Sequence, residues 1–230
     1  MNARIKITGV YDQNSIDLLI KEGVTSFGFD FRVRSFNFLQ QYCFLELIEK
    51  NFQTNFQYDL IYQDEKDFII AKMIDDLDQI LKKSGHHLRE MDNFRLHFTD
   101  AKGKDFYDSF KMPYIWEYHP MEDLDKMAKS EYLKGIILPY DLLSDYHARG
   151  EFHQFVAKFL KTLGAGGSRK NISLGLKCEW NTDFFPSLSE FLAFEFLQLP
   201  IDSSIEQSYR HISADLLKMS VGEMRKSLTL

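Results

Sequence analysis

Apolar residues along this chain recur with two alternating periods. Short runs rich in β-branched and aromatic residues, such as 5–10 and 26–31, are separated by longer stretches in which apolar positions return every three or four residues. The longer period is clear in Ile70, Met73, Ile74, Leu77, Ile80 and Leu81, which lie on one helix face and are expected to pack against a sheet. Strands are expected to begin near Ile5, Thr25, Gln57, Phe94, Pro113, Gly135, Asn171 and Leu197, with a mean spacing near the ~30 residues of a βα unit. Such alternation feeds a parallel sheet, and eight repeats suit an α/β fold of the (β/α)8 TIM barrel type, with 1–230 as one domain. Beyond the eighth strand, Ile205, Tyr209, Ile212, Leu216 and Met219 continue a helical stripe, and Ser220 with Glu223 has capping-box spacing for a last short helix. The stretch from Gly164 to Ser168 follows a helix and precedes a strand, the order of a helix C-cap and turn and not of a phosphate loop.

Composition narrows the class of protein. The chain has 230 residues, 44% of them hydrophobic and 27% charged, enough for a large buried core. Its 21 Phe and 11 Tyr predict an aromatic core and leave aromatic side chains for an interface. A net charge of −6 without any Lys/Arg cluster excludes a nucleic-acid backbone as partner. Cys43 falls in an expected helix and Cys178 in a strand-to-helix loop, and such sparse cysteine usage suits a reducing compartment without disulfides. No stretch approaches ~20 apolar residues, and the start of the chain lacks the pattern of a signal peptide, so no membrane association is expected and the cytoplasm is the expected location.

The opening Ile5-Lys6-Ile7-Thr8-Gly9-Val10, a helix with Asp17, Leu18 and Gly23, and then Ser26-Phe27-Gly28-Phe29-Asp30-Phe31 resemble the phosphoribosylanthranilate isomerase family, which reads K-I-C-G-I-T, A-x-x-A-G-A-D and G-F-x-F-x-x-x-S-x-R. Phe94-Arg95-Leu96-His97 is similar to the family's fourth-strand V-Q-L-H. Ile201-Asp202-Ser203-Ser204-Ile205-Glu206 is similar to its eighth-strand V-D-V-S-S-G-V-E. The matches keep their order and spacing along the chain, and those in the first sixty residues are the most specific. Gly9 and Gly28 have a packing explanation as well, in tight turns and close backbone approach.

The resemblance implies a TIM barrel and, for the family, an Amadori rearrangement of an aminoaldose phosphate in the pathway of tryptophan biosynthesis. That reaction needs a base and an acid facing each other across the substrate. At the position of the family's catalytic Cys stands Thr8, whose hydroxyl has no accessible pKa near neutrality. At the position of its catalytic Asp stands Pro139; Asp141 lies two residues on and points to the same side if the strand continues that far. Asp30 and His97 are candidate replacement bases and pocket residues. Arg32 or Arg34 stands in for the Arg that follows S-x in the family's second loop. The phosphate glycines are depleted. The sixth loop reads His147-Ala148-Arg149-Gly150, the seventh keeps Gly175 beside Leu174, and the eighth lacks the Gly after Ser203-Ser204. Ser203 and Ser204, next to Asp202 and ahead of an expected helix, form either an anion site with Arg149 as counter-charge or an ordinary N-cap.

Other constellations are weaker. His86, His87 and Glu90 supply too few ligands for a metal site, and neither metal nor cofactor is implied. Asp64, Glu65 and Asp67 read as a solvated acidic rim. Phe184, Phe185, Leu188, Phe191, Leu192, Phe194 and Phe196, read as a seventh helix, carry more aromatic surface than one face buries, which points to a homodimer. Three functions follow. The first is an isomerase-like barrel without the parental catalysis, binding a small phosphorylated or aromatic ligand or serving as an accessory protein. The second is an active sugar-phosphate isomerase with replacement acid and base, and the third a structural or interaction subunit.

Overall fold

The computed structural model describes residues 3–88, 92–165 and 172–227. Among them, eight parallel strands pair in sequence order and close on themselves: β1 (Arg4–Thr8), β2 (Ser26–Asp30), β3 (Gln57–Tyr62), β4 (Phe94–Phe98), β5 (Tyr114–Glu117), β6 (Leu133–Pro139), β7 (Ser173–Lys177) and β8 (Phe196–Pro200). Closure is made by β1 with β8, in register from Arg4 opposite Phe196 to Thr8 opposite Pro200. The protein is a (β/α)8 barrel. Each strand begins within two residues of its expected start; Asn171, the expected seventh start, lies outside the described residues.

Helices α1 (Gln13–Lys21), α2 (Gln41–Asn51), α3 (Asp67–Lys83), α4 (Lys104–Asp108), α5 (Leu124–Ala128), α6 (Tyr140–Ala148), α7 (Phe152–Ala165), α8 (Leu188–Phe191) and α9 (Ala214–Ser227) surround the strands. Asp12 caps α1 by accepting from the Ser15 N–H at 2.8 Å. In α3 the apolar stripe packs inward as its period requires, with Ile70, Met73, Ile74, Leu77 and Leu81 buried. No helix among the described residues is long and apolar enough to cross a membrane.

The main core lies between strands and helices and is strongly aromatic. Trp116, Tyr58, Tyr62, Tyr107 and Tyr114 are fully buried, and Phe98 stacks on Tyr107 at 4.3 Å. A second, separate cluster of Ile115, Ile137 and Phe196 fills the inside of the barrel. Here two glycines make room. A side chain on Gly175 would meet the Phe196 ring at 2.3 Å, and one on Gly135 would meet Ile115 at 2.9 Å.

The end of the chain departs from the sequence reading. Ile205 to Met219 is not one helix: β9 (Glu206–Ser208) and β10 (His211–Ile212) form an antiparallel hairpin, and Tyr209 is exposed at its tip. Arg210 takes a positive φ of 56° there, which a helix does not allow. Ser220 is buried in the interior of α9 and does not cap a separate helix; the cap is Ser213, whose Oγ accepts from the Leu216 N–H at 3.4 Å. The expected aromatic seventh helix is also replaced. Only α8 is helical there, Phe194 is buried, Phe196 belongs to β8, and Phe184 and Phe185 pack on Tyr140. Within that segment Phe191 is exposed and Phe184 and Phe185 are half-buried, while Leu188, Leu192, Phe194 and Phe196 are buried in the chain's own core. Gly164 lies in α7, and the rest of the Gly-rich turn falls outside the described residues.

Candidate functional site

Side chains alternate across a strand, so every second residue of each strand points inward and these residues form layers inside the barrel. On the β1 to β4 side the inner layer is charged. Lys6 donates to Asp59 at 2.6 Å, and Arg95 embraces the same carboxylate through Nε at 2.7 Å and Nη2 at 3.0 Å. His97 sits above them with Nδ1 3.5 Å from the Lys6 Nζ. Across the axis the same layer is apolar, and Lys6 lies 5.6 Å above the centre of the Phe196 ring, so the cation bridges the two halves.

Burial shapes the charges in this layer. It lowers the Lys6 pKa to about 8, with Asp59 opposing the shift and Arg95 adding to it. Burial also works against ionisation of Asp59, but Arg95 and Lys6 outweigh it and hold the carboxyl below the ordinary carboxylate range. Burial, then the nearby cations Lys6, Arg32, Lys177 and Arg95, push the His97 pKa well down, so its ring is neutral near pH 7.

Above this layer, at the carboxyl ends of the strands, is a cavity of about 100 Å³. Thr8, Arg32, Ile61, His97, Thr99, Glu117, Lys177, Cys178, Glu179, Gln198 and Pro200 line it. Lys177 pairs with Glu117 at 2.9 Å across β7 and β5. Burial raises the Cys178 thiol to about 12, which leaves it a poor nucleophile. Glu179, on the rim, has a raised pKa from partial burial and the adjacent Asp202 carboxyl. Larger hollows of about 450, 410 and 610 Å³ lie elsewhere, at the amino ends of the strands, beside Phe184 and Phe185, and between α5 and α7. The carboxyl ends carry the working sites of this architecture, so the small mouth cavity is the candidate.

The residues singled out from the sequence are distributed unevenly around this mouth. Thr8 lines it, with its hydroxyl donating to the Leu199 carbonyl at 3.3 Å. His97 lines it from the floor. Asp30 is buried just behind, where its oxygens accept from the Arg32 backbone N–H and guanidinium and from the Ser35 hydroxyl at 2.6 Å. Of the two arginines offered, Arg32 faces the cavity, while Arg34 is exposed in the loop beyond. Gly9 turns the chain after β1 with φ of 85°, and a side chain there would meet Asn37 at 2.6 Å.

Four expectations are corrected by local geometry. The sixth strand ends at Pro139 and α6 starts at once, so Asp141 does not extend the strand; it lies in the first turn of α6, exposed. Arg149 is the C-cap of α6 and pairs with Glu151 at 3.4 Å, away from the cavity lining. Gly175 lies inside β7 against Phe196 and not in a loop. Ser203 and Ser204 precede a turn and the β9–β10 hairpin, so there is no helix N-terminus to hold an anion; Asp202 instead accepts from the Ser204 N–H at 2.8 Å. Among the other clusters, Asp64 and Asp67 are exposed, His86 packs edge-on to Phe52, and Glu90 lies outside the described residues. The described residues contain no group of three or more His, Cys, Asp or Glu able to hold a metal ion.

The sequence reading missed Lys177, Glu117 and Gln198 at the mouth and the Lys6–Asp59–Arg95 triad beneath it. A signal was present: Lys6, Asp59 and Arg95 are charges flanked on both sides by apolar residues within strands. An isolated charge in such a run must find a partner across the barrel.

No protein-family model and no curated protein matches this sequence. Solved structures do match it over nearly its full length. Phosphoribosyl anthranilate isomerase from Thermus thermophilus superposes with a TM-score of 0.57 at 15% identity, covering 97% of this chain and 98% of the other. For a monomeric form of the dimeric phosphoribosylanthranilate isomerase from Thermotoga maritima the values are 0.61, 11%, 97% and 99%. For N-(5'-phosphoribosyl)anthranilate isomerase from Pyrococcus furiosus they are 0.58, 12%, 99% and 100%. At these identities the likeness is one of fold.

Proposed function

We propose that this barrel binds a small molecule at its mouth and does not perform the isomerisation of the phosphoribosylanthranilate isomerases whose fold it shares. One observation carries the reading: the positions matching the family's base and acid hold Thr8, hydrogen-bonded to the Leu199 carbonyl, and Pro139, which has no proton to give. The candidate replacements support it. Asp30 has both oxygens engaged by Arg32 and Ser35, and Asp141 is exposed on α6. The size of the mouth supports it too, because about 100 Å³ is well below the roughly 300–1,000 Å³ that encloses larger ligands. What remains is a compact set of cations, carboxylates and neutral polar groups suited to holding a small polar ligand.

Thermal-shift measurements test the binding half of this reading, since a ligand that binds only the folded state must raise its melting temperature. Free phosphate, sugar phosphates, anthranilate derivatives and small carboxylates are compared on the wild type and on Lys177→Met. The expected result is a concentration-dependent rise in the wild type that shrinks in the variant. A rise of equal size in both proteins would put the binding site elsewhere.

A further inference from the structure

Three polar atoms at the mouth cavity have no hydrogen-bond partner among the described residues: His97 Nε2, Gln198 Oε1 and Glu117 Oε2. His97 is fully buried and Gln198 is 4% exposed. Buried polar groups are almost always paired, so three orphans around one small cavity describe what would pair with them. The two oxygens can only accept. The role of His97 follows from its other nitrogen. Lys6 reaches Nδ1 at 3.5 Å and an ammonium has only donors, so Nδ1 accepts and the neutral ring carries its proton on Nε2. Nε2–H is therefore a donor aimed into the cavity. Lys177 adds an ammonium, and Arg32 has N–H groups beyond those it uses on Asp30.

The charge balance selects further. Lys6, Arg95, Arg32 and Lys177 face Asp59, Asp30 and Glu117, one positive charge in excess within the wall, which the cavity-lining carboxylate Glu179 offsets at the rim. Glu179 stands on the exposed rim beside Asp202. A cavity of about 100 Å³ has the space of about three waters, enough for a molecule of two or three carbons. A bare carboxylate would leave both acceptor oxygens unpaired. A phosphate dianion brings acceptors only and more charge than the wall offsets. A zwitterionic amino acid places its ammonium beside the Lys177 ammonium and the Arg32 guanidinium.

We infer that the mouth is a site for a small α-hydroxy carboxylate, its carboxylate received by Lys177, Arg32 and the His97 Nε2–H and its hydroxyl donating to Gln198 Oε1 or Glu117 Oε2. This rests on the reading that the mouth binds a small molecule without the parental isomerisation.

Titration calorimetry with glycolate, acetate and inorganic phosphate tests the assignment on the full-length protein. Glycolate is expected to bind about ten-fold more tightly than either comparator, the effect of one satisfied buried acceptor. Removing both acceptors together, in Gln198→Leu with Glu117→Leu, is expected to bring glycolate and acetate to within about two-fold of each other. In the wild type, the His97 Nε2 resonance in nitrogen-15 spectra is expected to shift along the same titration curve, a readout that does not depend on how well the variant folds. Equal binding of glycolate and acetate, no binding of any probe, or an unmoved His97 resonance would overturn the assignment. A preference for phosphate that disappears in Lys177→Met would remove the hydroxy acid and leave the binding reading standing. Turnover of phosphoribosylanthranilate by the wild type would remove the reading itself.

Discussion

Asp59 is the residue on which the interior of this barrel turns, because one fully buried carboxylate serves two cations. A buried ion pair is a modest source of stability, but a buried charge left without its partner is expensive. Asp59→Asn removes the anion between Lys6 and Arg95 and is expected to lower the unfolding free energy by about 3–5 kcal/mol in urea titrations. Lys6 gives the interior a pH dependence of definite sign. Its pKa is about 8 when folded against 10.5 ordinarily, so between these values the unfolded chain binds a proton that the folded chain does not. Stability from this group therefore rises with pH across pH 8 to 10.5, and the penalty of burying the charged form is fully present below pH 8. The unfolding free energy of the wild type minus that of Lys6→Met is expected to climb through this window; a difference that is flat or falling would contradict the assignment. At this scale the sequence was informative where a strand face was involved. Thr8 and His97 line the mouth because they lie on inward positions near the ends of β1 and β4. Lys177, Glu117 and Gln198 could not be singled out, because their meeting depends on the closure of strands that are distant in sequence.

Elements were legible to different degrees for a physical reason. The strands and α3 have long, regular apolar patterns, and their expected positions agree with the fold to within two residues at every strand start. The connections after β6, β7 and β8 are set by local backbone geometry that periodicity does not carry. Pro139 ends β6 and acts as the N-cap of α6, which removes Asp141 from the strand face. Asp202 and Arg210 fold the segment after β8 into a turn and hairpin despite its helical spacing of apolar residues. Glu206 then ties that hairpin to the rest of the barrel by accepting from the Tyr11 hydroxyl at 3.1 Å. Two glycines show how the element decides the sign of one substitution. Gly175→Ala drives a methyl into the Phe196 ring inside the barrel and is expected to destabilise by about 1–3 kcal/mol. Gly222→Ala lies in α9 with open space around it and is expected to stabilise by about 1 kcal/mol. Thermal or chemical unfolding of the pair checks both signs together.

The whole molecule is a closed barrel with a division of labour along its axis and across it. Ile115, Ile137 and Phe196 plug one side of the interior, while Lys6, Asp59 and Arg95 form a charged layer on the other and hold His97 beneath the mouth. The fold is that of solved phosphoribosylanthranilate isomerases, and the proposal that the mouth binds a small molecule without their isomerisation rests on Thr8 and Pro139 at the two positions where proton transfer would be required. The most direct test is the rate at which purified protein converts phosphoribosylanthranilate, followed by the loss of its anthranilate fluorescence. The account predicts a rate equal to that in buffer at every protein concentration, and the same for Asp141→Asn. A rate proportional to protein concentration that falls in Asp141→Asn would contradict it.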